Sequence, residues 1–204
     1  MTNFKPDYYN DLDKVYSKIW SLLNAGLQNR DAPFHIPVFI CGEKKEFDGR
    51  IIVLRGIDKN EKKLWFHSDI RSNKVEILKS NPKATLLFYD KTEKIQLRIG
   101  GFAKINYQNE MTKKSCKKTV HMTTQAYIGD KAPGSFVSLP TSGLTNEVDN
   151  LKYTIEESET GYTNFCVIET FIKSIEWLYL AAKGHRRAQF NLNKKKLEKK
   201  WLIP

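Results

Sequence analysis

Apolar residues recur along this chain with two different periods. Between residues 11 and 28, DLDKVYSKIWSLLNAGLQ, they fall at Leu12, Val15, Tyr16, Ile19, Leu22 and Leu23, the three-to-four spacing that lines one face of an α-helix. Asp11 stands where an N-cap belongs, and Gly26 lies near the expected end. From residue 34 the period tightens toward two. FHIPVFIC (34–41), RIIVLRGID (50–58), KKLWFHSD (62–69), ATLLFYD (84–90) and IQLRIGGFAKIN (95–106) are rich in β-branched and aromatic residues and are parted by charged or Asn-Pro turns, so they read as strands. In the last of them Ile95, Leu97 and Ile99 alternate with Gln96, Arg98 and Gly100, an apolar face against a polar one. Pro37 has no N–H to donate, which makes the first of them an edge or bent strand.

The remaining pattern adds little helix. SNKVEILKSNP (72–82) predicts one short helix beginning near Ser72 and stopping before Pro82. NEMTKKSCKKTVHMTTQAY (109–127) predicts a second, with a less regular apolar face, and the Gly, Pro, Ser and Thr of 129–150 predict an irregular segment. NFCVIETFIKSIEWLYL (164–180) returns to strand, KGHRRAQF (183–190) turns, and the lysine run NKKKLEKKWLIP (193–204) reads as a solvated face or tail. Five or six short strands in antiparallel order with few helices favour a small closed barrel, because closure removes unpaired strand edges. The expected fold is mainly β with flanking helices.

Composition narrows the setting. At 204 residues and 40% hydrophobic content, the chain suits one domain, 1–204, with a real core. The N-terminal stretch MTNFKPDYYNDLDK lacks a signal-peptide apolar region, and no run of about 18 apolar residues follows. A cytoplasmic protein without membrane association is expected. Cys41, Cys116 and Cys166 form no CxxC pair, and His35, His67, His121 and His185 lack ligand spacing, so neither a disulfide framework nor a metal site is expected. A formal charge of +11 fits a phosphorylated small molecule, nucleic acid or an anionic surface equally well.

The candidate chemistry lies along residues 50–74. Arg50, Arg55, His67, Ser68, Arg71, Ser72 and Lys74 are crowded onto one hairpin and the helix start after it. A phosphate dianion needs several fixed donors of these kinds, and Ser72 and Lys74 both fall in the first turn of the predicted helix.

RIIVLR, FHSDIRSNK, NPKATLLFYD and IQLRIGGFA, in this order, resemble the flavin-binding core of the pyridoxamine 5'-phosphate oxidase family, over roughly residues 34–106, and the similarity resumes in IEWLYLAAKGHRRAQF. The resemblance implies an FMN-binding split β-barrel of antiparallel strands and a homodimer with FMN at its interface. It further implies an FMN-dependent oxidoreductase acting on a small molecule, anionic if Arg55 holds it. It assigns cofactor binding to Arg50, Arg55, His67, Ser68, Ser72, Lys74 and Gln96, with Arg50 and Lys74 on the phosphate and Gln96 on the isoalloxazine edge. Arg55, Arg187 and His185 are the candidates on the flavin and substrate side.

The chain also departs from the family pattern. Asn73 stands where an arginine is usual, a contact that Arg71 could supply. The family's Tyr, Arg and Ser for the substrate phosphate have no match at their spacing in KKTVHMTTQAYIGDKAPGSFVS, and His185, Arg187 and Gln189 fall on the last-strand positions without identity. The substrate is therefore left open. The alternatives are a nicotinamide-dependent flavin reductase or a flavin carrier on the same barrel, and, less favoured, a nucleic-acid-binding barrel using KKSCKK, GHRR and NKKKLEKK.

Overall fold

A computed structural model describes residues 5–43, 46–118, 127–144, 161–182, 184–192 and 196–204. Helix α1, Leu12–Gln28, starts where Asp11 Oδ1 accepts from the N–H groups of Asp13 and Lys14 at 2.9 and 3.1 Å. It buries Val15, Ile19, Trp20 and Leu23 against the sheet. The strands are β1 (Val38–Glu43), β2 (Glu46–Ile51), β3 (Gly56–Asp58), β4 (Lys63–Asp69), β5 (Lys83–Asp90), β6 (Ile95–Tyr107), β7 (Phe165–Tyr179), β8 (Arg186–Asn191) and β9 (Glu198–Leu202). Helix α2, Asn73–Ser80, follows β4, and α3, Glu110–Lys118, follows β6.

All pairings are antiparallel, in the order β2-β1-β5-β6-β7-β4-β3, with β8 on β7 and β9 on β8. The fork lies in β7. Its first half pairs with β6 on one side and β4 on the other; its second half keeps β6 but exchanges β4 for β8. Burial follows the fork: Phe165 to Thr170 are buried on both faces, whereas beyond them Ile172, Ile175 and Trp177 point inward and Ser174 and Glu176 outward. A bulge at Gly100/Gly101 bends β6 along this line, and a Cβ on Gly101 would lie 2.1 Å from the Phe171 carbonyl oxygen. The core collects Leu23, Phe34, Phe39, Leu54, Phe66, Phe88, Leu97, Ile175 and Phe190, with Phe39 and Phe66 rings 4.8 Å apart. The result is a split antiparallel barrel.

Several expectations need correction. The described strands number nine, and their ladder does not close, so the sheet is split rather than a small closed barrel. Pro37 does not make β1 an edge: the proline precedes the strand, which pairs with both β2 and β5. The end of the lysine run is strand β9, paired with β8, because even charged residues extend when a free strand edge offers hydrogen bonds. The expected 109–127 helix ends its described part at Lys118, and residues 119–126 and 145–160 lie outside the described residues.

One predicted strand, 50–58, breaks into two. Beyond Ile51, the N–H groups of Ile52 and Leu54 donate to Pro37 and His35 carbonyls, at 3.0 and 2.9 Å, and then Arg55 N–H donates to Trp65 O at 2.9 Å. The chain thus crosses from the β1 side to the β4 side of the split. Ile52 and Leu54 are buried on the crossing, while Ile51 and Arg55 are exposed and Val53 is half-buried. Among the described residues no helix is long and apolar enough to cross a membrane.

Candidate active-site cleft

The crossing forms one wall of a cleft of about 300 Å³, lined by Arg50, Ile51, Ile52, Val53, Arg55, His67, Ser68, Asp69, Ser72, Lys74, Tyr127 and Pro133. Strand β4 supplies the facing side chains: its even-numbered Leu64 and Phe66 enter the core, His67 points into the cleft, and the strand's end delivers Ser68. The turn 69–72 then folds Ser72 back, with Ser72 N–H donating to Asp69 O at 3.2 Å and its hydroxyl donating to the same carbonyl at 2.7 Å.

At this end three groups converge. Lys74 Nζ donates to Ser68 Oγ at 2.9 Å and to Ser72 Oγ at 3.0 Å, and the two hydroxyl oxygens lie 3.4 Å apart. Lys74 is 8% exposed and forms no ion pair among the described residues. Its neighbours Cys41 and Cys166 are buried thiols; burial pushes both pKa values up, Cys166 to about 12, so they stay uncharged. Burial, with the charge of Arg50 second, lowers the Lys74 ammonium to about 8. The Asp69 carboxylate acts on this buried cation only from beyond ion-pair range, its direct partners are hydroxyls, and a bound anion would supply a close counterion. Arg50 borders the same end but is partly committed: Nε donates to Asp48 Oδ1 at 2.9 Å, and Nη2 contacts the other carboxylate oxygen.

The other end is more open and more aromatic. Arg55 is exposed; burial, and second to it the charge of Arg55, lower the His67 imidazole to about 4. The ring is therefore neutral at ordinary pH. Its Nδ1 is buried without a partner among the described residues, and the ring stands edge-on to Phe165 at 4.9 Å. Tyr127 packs on the same Phe165, ring centres 5.5 Å apart, and burial raises its phenol pKa, so it remains a neutral hydroxyl.

Six of the expected cofactor residues, Arg50, Arg55, His67, Ser68, Ser72 and Lys74, line this one cleft. Gln96 does not. It lies on the outer face of β6, where Leu178 of β7 pairs with it on one side and with Arg187 of β8 on the other, so that Gln96, Leu178 and Arg187 form one cross-strand row. Arg187 and Arg98 share Glu176 there: the Arg187 Nη2 contact is 2.9 Å, and the two guanidiniums outweigh burial to hold that carboxyl below its usual range. His185 is exposed, its Nδ1 accepting from Ala181 N–H at 3.1 Å. Arg71 does not line the cleft; its guanidinium is bound to Asp69 and to backbone carbonyls. Sequence reasoning missed Tyr127, at the end of the expected 109–127 helix, and Pro133, in the irregular segment after it, where no periodicity places a side chain. Trp177 is fully buried, a packing residue as its apolar size suggests.

Known proteins resemble this chain in sequence and in fold. Residues 27–107 match the family described as pyridoxamine 5'-phosphate oxidase, FMN-binding domain. A pyridoxine/pyridoxamine 5'-phosphate oxidase of Psychrobacter arcticus is 27% identical over 139 residues, 68% of this chain and 59% of that protein, so the chain matches less than two thirds of that relative's length. The Psychrobacter cryohalolentis protein of the same description is 25% identical, covering 78% of this chain and 71% of its own. In fold, a pyridoxamine 5'-phosphate oxidase-related, FMN-binding protein of Nostoc punctiforme superposes with a TM-score of 0.69 at 16% identity, over 98% of this chain and 100% of that one. PhzG of Burkholderia lata, solved with tetrahydrophenazine-1-carboxylic acid, gives 0.70 at 14% identity, over 100% and 99%. Over residues 27–107 the chain is thus similar in sequence to the FMN-binding domain of pyridoxamine 5'-phosphate oxidases, and its split barrel is similar in fold to the Nostoc and Burkholderia proteins.

Proposed function

We propose that this chain binds FMN in the 50–74 cleft and works as an FMN-dependent oxidoreductase on a small anionic molecule. The observation that carries this reading is the buried Lys74 ammonium, gripped by Ser68 and Ser72 and lacking a carboxylate partner. A phosphate monoester fits that end: it accepts from an ammonium and two hydroxyls and restores the missing negative charge. The orphaned His67 Nδ1 and the apolar Ile51 and Val53 beside it suit a ring carrying both polar edges and flat faces.

When bound, the flavin supplies the redox chemistry, exchanging electrons and protons with a substrate held against its ring. The chain's own residues do the rest. Lys74, Ser68, Ser72 and Arg50 anchor the phosphate; Arg55 places positive charge at the open end, where it holds an acidic substrate or stabilises negative charge on the ring. His67, neutral because burial disfavours its cation, offers a hydrogen bond without adding charge.

A homodimer belongs to the same proposal. Gln96 and Arg187 stand in one row on the outer face, away from the cleft of their own chain, and the exposed apolar residues Ile51, Tyr89 and Phe102 leave an uncovered surface. Two copies packed through this surface would bring one copy's row to the other's cleft, completing each site from two chains. His185 is the third candidate on that side.

The test begins with colour: purified protein that is yellow and releases a compound with the mass of FMN supports the reading, and a colourless protein that takes up no FMN refutes it. Turnover of amine phosphates under oxygen, set against NAD(P)H oxidation without oxygen, separates an oxidase from a reductase. Sedimentation of the flavin-loaded protein checks the dimer.

A further inference from the structure

Arg71 occupies a place where sequence invites a phosphate contact, one residue from Ser72 and in the turn beside Lys74. Its guanidinium is already spent. Nε and Nη2 donate to the two oxygens of Asp69 at 3.0 and 2.8 Å, while Nη1 donates to the carbonyls of Gly129 and Asp130 at 2.9 and 3.3 Å. The Asp69 hydrogen bond keeps the guanidinium firmly charged. Carbonyl oxygens around Nη1 would repel a phosphate, so this fork faces away from an anionic ligand.

What it holds is the segment 127–135. Asn164 Nδ2 donates to Tyr127 O at 2.7 Å at one end of it, Arg71 clamps the middle, and the Ser135 N–H and hydroxyl close the far turn on Ala132 O at 3.1 and 2.8 Å. The strap is also crossed by the returning chain, since a Cβ on Gly129 would lie 2.5 Å from the Gly143 carbonyl oxygen. Its two cleft-lining residues, Tyr127 and Pro133, flank the clamp. Asp69 links the two ends of the cleft: its carbonyl accepts from Ser72, and its carboxylate aims the guanidinium that holds the strap.

We propose that Arg71 is a positioning residue, a latch that seats the 127–135 strap so that Tyr127 and Pro133 wall the ring end of the cleft. The inference rests on the flavin reading above. A latch and a phosphate ligand differ in one measurable respect: a wall touches the ring, which FMN and riboflavin share, whereas a phosphate ligand touches only FMN.

The experiment titrates flavin-free protein with FMN and with riboflavin, for the parent, Arg71→Ala, Arg71→Lys, Tyr127→Ala and Asn164→Ala. A latch predicts that Arg71→Ala weakens both flavins by the same factor, about five- to tenfold, the scale of one or two hydrogen bonds and a ring contact. Tyr127→Ala should do likewise, the double variant should lose little more than either single one, and Arg71→Lys should recover part of the loss through one carbonyl. In the flavin-loaded protein, Arg71→Ala should also speed tryptic cleavage at Lys131. Should Arg71→Ala fail to fold, Asn164→Ala releases the strap from its other end and carries the same comparison. Loss of FMN affinity with riboflavin binding intact would make Arg71 a phosphate ligand and overturn the latch. Unchanged affinity for both flavins in Arg71→Ala and Tyr127→Ala would overturn it too. A parent protein that binds neither flavin would remove the flavin reading and the latch with it; the other adverse outcomes remove the latch alone.

Discussion

The Lys74 end and the Arg55 end of the cleft are built by opposite means. Ser68, Ser72 and Lys74 come from a strand end, a turn and the first residues of α2, within seven residues of sequence, and they are bonded to one another. Arg55, His67, Tyr127 and Pro133 come from three separated segments; His67 and Tyr127 pack on Phe165, and Tyr127 and Pro133 stand in the strap bonded to Arg71. The first end is local, buried and preorganised for charge. The second is assembled by tertiary contacts.

The largest expected effect tests the first end. Lys74→Met, which keeps most of the buried volume, should weaken FMN by about 10- to 100-fold, the cost of about one charged hydrogen-bonding group, while changing riboflavin less than about twofold. Equal losses for the two flavins would erase the distinction between the ends. Arg50→Ala should cost less, about 1 kcal/mol of FMN affinity, because Asp48 already shares its charge; an effect larger than that of Lys74→Met would move the phosphate toward β2.

Arg55→Ala probes the other end. It should leave FMN affinity within about twofold and raise KM for an acidic substrate by about tenfold, the worth of one exposed charged contact in a cleft. If KM is unchanged while FMN is lost, Arg55 belongs to the cofactor.

The smaller effects are in pH. In the empty protein the Lys74 pKa of about 8 lies below the unfolded value of 10.5, so between those values the unfolded chain binds more protons and stability rises with pH. A bound phosphate favours the charged ammonium, so binding above about pH 8 takes up a proton. FMN affinity should therefore decline toward alkaline pH, by up to about one decade per pH unit, while riboflavin affinity stays flat. Parallel slopes would mean that Lys74 does not meet the phosphate. For His67, folded near 4 against 6.5 unfolded, the neutral form is preferred in the fold, so stability should fall as pH drops from 6.5 toward 4. His67→Gln should flatten that limb in acid melts.

Legibility in the sequence followed the same divide. The α1 stripe, the alternation of Ile95, Leu97 and Ile99, and the short helix after Ser72 were readable because each is set by neighbours within a few residues. The break of 50–58 was not readable: the residues have strand propensity throughout, and only the hydrogen bonds to Pro37, His35 and Trp65 divide them. Strand β9 hid in a lysine run because its pairing comes from β8. The direction of Arg71 was hidden for a related reason, since local order puts it beside Ser72 and only the distant Gly129 and Asp130 carbonyls turn its guanidinium away.

The amino-acid sequence by itself determined that Ser68, Ser72 and Lys74 come together, because they belong to one strand–turn–helix unit whose geometry is local. Tertiary structure alone decided which residues face them, which side of the split the 52–55 crossing takes, and that Gln96 and Arg187 stand together on the outer wall. Backbone pairing between distant segments and the burial of charge supply that information, and neither is carried by the spacing of residues along the chain.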